Sequence, residues 1–259
     1  MALFKSRERR FAELVSQMVY GNPFLPQRLE LEKQALGSDY QPDQQTVWSL
    51  IPNATTRRAN IDTLVDRARH LANQVRDHLR QGATASQKEL QLYDDLVMHV
   101  LYYQSHDDWY EFVAPEQVRP RRVRPADWKR FLANYRDYLE IGDLPLPGRG
   151  KPELIYALLN QVCRAFFNIY QCVIGQSLPS ARLRSTIWES IFTFDLRRYR
   201  NCLIGNMADI STLIVGPSGT GKDLVASAIG QSSFIAFDDE QSRFLTDSET
   251  SFMPLNLSA

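Results

Sequence analysis

The chain has 259 residues, 44% of them hydrophobic and 23% charged, a balance that suits a folded protein and excludes a disordered, low-complexity chain. With 30 basic and 30 acidic side chains the formal net charge is zero, so no global field draws the protein to nucleic acid or an anionic membrane. No apolar run reaches the roughly 18 residues of a membrane span, and "MALFKSRERRFAELV" lacks a signal-peptide core, so neither a span nor a leader is expected.

In chain order the first elements read as helices. Phe11, Leu14, Val15, Met18 and Val19 recur at helical spacing, and "GNP" at 21–23 ends the run. A second helix is expected between Pro26 and Gly37. Ile61, Leu64, Val65, Ala68, Leu71, Ala72, Val75 and Leu79 form the cleanest stripe, closed by Gly82. Ser86 with Glu89 forms a capping box, after which Leu90, Tyr93, Val97, Val100 and Leu101 carry an apolar face. A further helix starts near Pro125 and turns Trp128, Phe131, Leu132, Tyr135 and Leu139 inward. No period-2 alternation marks a strand before residue 210.

Three features in this part invite a sharper function. "VRPRRVRP", with Arg119, Arg121, Arg122 and Arg124, could meet nucleic acid or an acidic partner, or be a solvated loop. "HDDWYEF", 106–112, could line a pocket or be an aromatic-anchored turn. His70 and His78 share a helix, and His99 and His106 lie near Asp107 and Asp108, but these spacings do not suit a metal site.

The Gly- and Pro-rich stretch "IGDLPLPGRGKP", 141–152, reads as the best linker in the chain. Beyond it, "PELIYALLNQVCRAFFNIYQCVIG" is a long helix; Asn160, Gln161, Arg164, Asn168 and Gln171 argue against a membrane location and its aromatics for burial. Another helix runs from about Ser180 to Phe194. Cys163, Cys172 and Cys202 lack CxxC spacing and are expected as buried thiols in a reducing cytoplasm.

The residues that carry chemistry come last. "STLIV", 211–215, is a β-branched run expected as a strand, and "KDLVASAIG" has the composition of a helix. Between them Gly216, Pro217, Ser218, Gly219, Thr220, Gly221 and Lys222 match G-x-x-x-x-G-K, the pattern of a phosphate-binding loop. The glycines let backbone N–H groups turn inward, the helix N-terminus adds its positive end, and Lys222 can reach the β and γ phosphates. Asp223 departs from the general pattern, which places a Mg²⁺-binding hydroxyl there; its carboxylate is tolerable if it faces the metal or its waters.

"LIVGPSGTGKDLVASAI" resembles the Walker A region of the sigma-54-dependent AAA+ activators, whose loop is typically G-E-S-G-T-G-K-E followed by L-V-A-x-A-I. An acid after the lysine is part of that resemblance. Upstream "NMADISTLIVG" is similar to the family's passage from a helix into the first core strand. Downstream "SFMPLNLSA" resembles the second core strand, through Phe252, Asn256, Ser258 and Ala259; the acidic stretch between them reads as a loop insertion. The hydrophobic-plus-Gly motif near the adenine is not evident in "TIWESIFTFDLRRY".

The resemblance implies a mainly α N-terminal helical domain followed by the truncated start of an α/β P-loop (AAA+) domain. The expected units are a helical regulatory domain at 1–150, connecting helices at 151–184, and a partial ATPase domain at 185–259. ATP and Mg²⁺ are the implied cofactors, with residues 216–223 as the cradle. Sigma-54 RNA polymerase, DNA and homo-oligomerisation are implied through regions missing from this chain, which reads as an N-terminal piece of a longer cytoplasmic activator. ATPase activity belongs to the full-length protein, since the Walker B pair, sensor and arginine finger do not occur here. Another P-loop NTPase or kinase, or a helical interaction module with a vestigial nucleotide loop, remain alternatives.

Overall fold

The apolar stripes become helices where local groups satisfy the free backbone ends. The computed structural model describes residues 3–41, 59–113, 123–175, 177–207, 210–246, 252, 253 and 255. Helix α1 (Ser6–Tyr20) opens with the Lys5 N–H donating to the Glu8 carboxylate at 2.7 Å, and it buries Ala12, Leu14, Val15 and Met18. The chain turns at 21–23 into α2 (Gln27–Leu36). Helix α3 (Ala59–Arg80) buries the stripe from Leu64 to Leu79. It ends at Gly82, whose φ of 84° lets the Ala83 N–H reach back to the His78 carbonyl at 3.0 Å, a hook that a side chain at Gly82 would strain.

Helix α4 (Gln87–Val113) starts at the expected capping box: the Ser86 N–H donates to Glu89 Oε2 at 2.9 Å, and the Glu89 N–H donates back to Ser86 Oγ at 3.3 Å. Leu90, Leu92, Tyr93, Leu96, Val97, Met98, Val100 and Leu101 are all buried, so α4 is covered around most of its circumference. Helices α1, α3, α5 (Pro125–Leu139) and α6 (Pro152–Cys172) surround it.

The stretch 141–152 is packed and hydrogen-bonded where the sequence suggests a free linker. Ile141 and Leu146 are buried. Tyr135 donates its hydroxyl to the Gly148 carbonyl at 2.6 Å and accepts from the Lys151 N–H at 2.9 Å. Glycines and prolines here shape a turn against α4 and α5, because its polar backbone finds partners on those helices.

Helix α6 serves two apolar clusters. Ile155, Tyr156, Leu159 and Cys163 join the core around α4. Leu158, Val162, Ala165 and Ile169 join Phe24 and helix α7 (Leu178–Phe192), with the Trp188 and Phe192 rings tilted against each other at 4.5 Å. A short α8 (Leu196–Arg198), capped by Asp195, continues into a π turn at Tyr199–Leu203. Helix α9 (Lys222–Gln231) then packs on α6 and α7.

The mainly helical expectation holds, but the strand expected at 211–215 carries no ladder among the described residues. The sole sheet among them is the antiparallel pair β1 (Phe237–Asp238) and β2 (Arg243–Phe244), which falls in the stretch read as a loop insertion. Cross-strand partners Phe237 and Phe244 explain it: Phe237 lies 4.8 Å from Trp128 and 4.7 Å from Tyr156, and Phe244 stacks 6.1 Å from Tyr156. The 211–215 run has no such anchorage, with Leu213 87% and Val215 79% exposed. Among the described residues no helix is long and apolar enough to cross a membrane.

Candidate functional site

The glycine loop and the first turn of α9 form one local unit. Gly219 and Gly221 have φ of 77° and 84°, in the left-handed region that side-chain-bearing residues avoid. Gly221 is the N-cap of α9 and offers no side-chain acceptor, so the early N–H groups of the helix stay directed at the loop. Thr220 Oγ1 donates to the Pro217 carbonyl at 2.8 Å and braces the turn from within. Lys222 folds back over it, its ammonium donating to the Gly216 carbonyl at 3.0 Å and the Pro217 carbonyl at 2.7 Å.

A cation thus sits at the mouth of a loop whose backbone turns about it, in front of the positive end of a helix. Phosphate oxygens are stronger acceptors than the two neutral carbonyls that hold the ammonium. Residues 216–220 are exposed to solvent, and so is Asp223 in the first turn of α9. All eight residues singled out in the sequence, Gly216 to Asp223, lie together in this unit.

The other face and end of α9 are anchored on the helical bundle. Ala228 is buried, and Val225 and Ile229 pack beside it against the α6 and α7 cluster. At the C-terminal end Arg164 donates to the carbonyls of Gln231 at 2.8 Å and Ser233 at 2.6 Å. Gln161 donates to the Ser232 carbonyl at 2.9 Å, and Asn168 to Ser232 Oγ at 3.0 Å. Phe252 packs against Gly230, where a Cβ would meet its ring at 2.5 Å. Asn256, Ser258 and Ala259 lie outside the described residues.

The segment leading toward the loop is tied down by two buried carboxylates. Asp94 and Asp95, adjacent on α4, are both 0% exposed. Arg200 donates to Asp94 Oδ2 at 2.6 Å and to the Tyr20 hydroxyl at 2.8 Å, while Asp94 Oδ1 accepts from the Gly148 N–H at 2.7 Å. Arg197 donates to Asp95 Oδ2 at 2.6 Å, an oxygen that also accepts from Ser16 Oγ at 2.7 Å. Burial pushes the Tyr20 phenol above its ordinary range, against the attraction of Arg200.

Several of the remaining sequence features take structural roles among the described residues. Trp109 of "HDDWYEF" is buried 5.5 Å from Tyr156, so that stretch is the end of α4 and a core anchor, where the sequence reads it as a turn or a pocket wall. Arg124 pairs with Asp127 at 2.7 Å, while Arg119, Arg121 and Arg122 lie outside the described residues. His70 and His78 are exposed on α3. Burial, with Arg28 nearby, holds the His99 imidazole down at about 3 and keeps it neutral. His106 stacks between Tyr103 and Tyr110. Of the cysteines expected to be buried, Cys163 is, its thiol pushed up to about 12 by desolvation; Cys172 is half-buried and Cys202 exposed, because the π turn leaves it on the outside. No three His, Cys, Asp or Glu side chains converge on a metal-sized site among the described residues.

Sequence reasoning missed the α6 side chains that hold α9 and the Asp94 and Asp95 pairs. A signal for the second was present: two adjacent acids inside the apolar run "LYDDLVMHVL" must be paired if that helix is central. Gln161, Arg164 and Asn168 carried a signal too, since their spacing of three and four places them on one helix face. Comparison with known protein families, with curated proteins and with solved structures finds no match to this chain.

Proposed function

We propose that residues 216–223 are a nucleotide phosphate cradle and that the chain is the regulatory and nucleotide-contacting part of an ATP-dependent transcription regulator of the sigma-54 type. The observation that carries the cradle is the Lys222 ammonium on the Gly216 and Pro217 carbonyls, in front of the N-terminus of α9. The left-handed Gly219 and Gly221 fit a backbone that must approach a phosphate closely. Lys222 and the N–H groups at the start of α9 would hold the phosphates. Mg²⁺ usually takes one or two protein carboxylates together with phosphate oxygens and water, and the exposed Asp223 fits that part. Bound there, the metal would screen the phosphate charge.

The α/β P-loop domain, the cytoplasmic location, and association with sigma-54 polymerase, DNA and further copies of the chain rest on the motif resemblance and belong to the same proposal. It covers nucleotide contact and not turnover. Titration calorimetry with ATP and Mg²⁺ tests it: the unaltered chain takes up one ATP, and Lys222→Ala weakens binding by about two orders of magnitude, the loss of a charge-assisted phosphate contact of about 3 kcal/mol. Unchanged affinity in that variant overturns the cradle.

A second reading has one observation in its favour. Among the described residues the run 211–215 has no ladder and exposes Leu213 and Val215, as it would if the loop were a remnant on a helical interaction module. Absence of ATP binding at millimolar nucleotide selects that reading.

A further inference from the structure

The helix that opens at the phosphate loop is gripped at its far end by the bundle. Helix α9 has 10 residues, so its two ends are about 15 Å apart. A helix this short is marginal on its own and depends on tertiary contacts to stay folded. Its last carbonyls lack partners inside the helix, and its C-terminus is the negative end of the helix dipole.

Helix α6 supplies what that end requires. The Arg164 guanidinium, 4% exposed, donates to the carbonyls of Gln231 and Ser233. Gln161 takes the carbonyl between them, and its Oε1 accepts the Tyr199 hydroxyl at 3.0 Å, so the same amide also holds the π turn. Asn168 fixes Ser232 Oγ, which in turn donates to the Ala228 carbonyl at 2.6 Å. A buried positive charge and two further α6 donors, Gln161 and Asn168, therefore converge on the one end of α9 that cannot touch nucleotide.

We infer that Arg164, with Gln161 and Asn168, is the positioning clamp through which the helical bundle sets the phosphate affinity of the loop at 216–223. This rests on the cradle reading. The clamp keeps α9 folded and aimed, and an anion at the N-terminus is stabilised by N–H groups that only an intact helix presents. Linkage makes the effect reciprocal: what the clamp adds to nucleotide binding, bound nucleotide adds to the docking of α9 on α6. A movement of α6 that withdraws Arg164 releases the nucleotide without any contact to it.

The test uses the full chain with ATP and Mg²⁺. Arg164→Ala raises the Kd about tenfold, within the usual span of coupling between sites, and Arg164→Lys recovers part of the loss by restoring the charge. Asn168→Ala, which removes one neutral hydrogen bond, raises Kd about twofold. In the unaltered chain, ATP slows amide exchange in the last turn of α9 and at Ser232 and Ser233, a readout that a merely structural role would not move. If Arg164→Ala fails to fold, the exchange measurement and Asn168→Ala decide. Equal affinity in the α6 variants while Lys222→Ala loses binding overturns the clamp alone, as does exchange at Ser232 and Ser233 unaffected by ATP. No ATP binding by the unaltered chain, or full binding by Lys222→Ala, removes the cradle and the clamp together.

Discussion

Asp94→Ala is the most informative single perturbation of the framework that carries the loop. Asp94 is wholly buried and accepts from Arg200 at 2.6 Å and from the Gly148 N–H at 2.7 Å. Its removal leaves the Arg200 guanidinium buried with only the Tyr20 hydroxyl beside it among the described residues, and stranding one member of a buried pair costs about 3–5 kcal/mol. The orphaned Gly148 N–H adds about 1 kcal/mol. The expected loss is about 5 kcal/mol, a third or more of what holds a typical domain together. Asp94→Asn, which can still accept from Gly148, should lose about 3 kcal/mol. Urea unfolding followed by circular dichroism at neutral pH reads both as shifts in midpoint at constant slope. The double variant Asp94→Leu with Arg200→Met strands no charge and should recover roughly half of the loss. A cost below about 1 kcal/mol for Asp94→Ala, or a double variant less stable than the single one, would refute the pairing as the tie between α4 and the 195–203 segment.

Two further outcomes follow from local chemistry. Because His99 is held neutral in the folded state down to about pH 3 while an unfolded histidine takes a proton near 6.5, folding stability is full above pH 6.5 and falls by about 1.4 kcal/mol per unit between 6.5 and 3. His99→Leu should flatten that part of the stability profile; an unchanged slope would show that other groups set it. Gly221→Ala places a Cβ 3.8 Å from Leu224, so space is available and the cost is the left-handed backbone alone, about 1–2 kcal/mol. ATP affinity should fall about tenfold with little change in the global unfolding midpoint; a large midpoint shift with intact affinity would contradict a local role.

Much of this protein is legible residue by residue. The stripe from Leu64 to Leu79, the hook at Gly82, the Ser86 and Glu89 box and the loop from Gly216 to Lys222 are set by periodicity or by contacts within about two helical turns, and the sequence determines them by itself. The tertiary structure alone decided with whom the buried polar side chains pair. Arg200 finds Asp94 across 106 residues and Arg164 finds Ser233 across 69, separations at which no periodicity carries information. The strand is the converse case: a β-branched run at 211–215 has the propensity, but a strand exists only as a member of a ladder, and the described residues provide it with none. Helices close their hydrogen bonds within a segment, whereas strands and buried charges close theirs only through whatever the fold brings beside them.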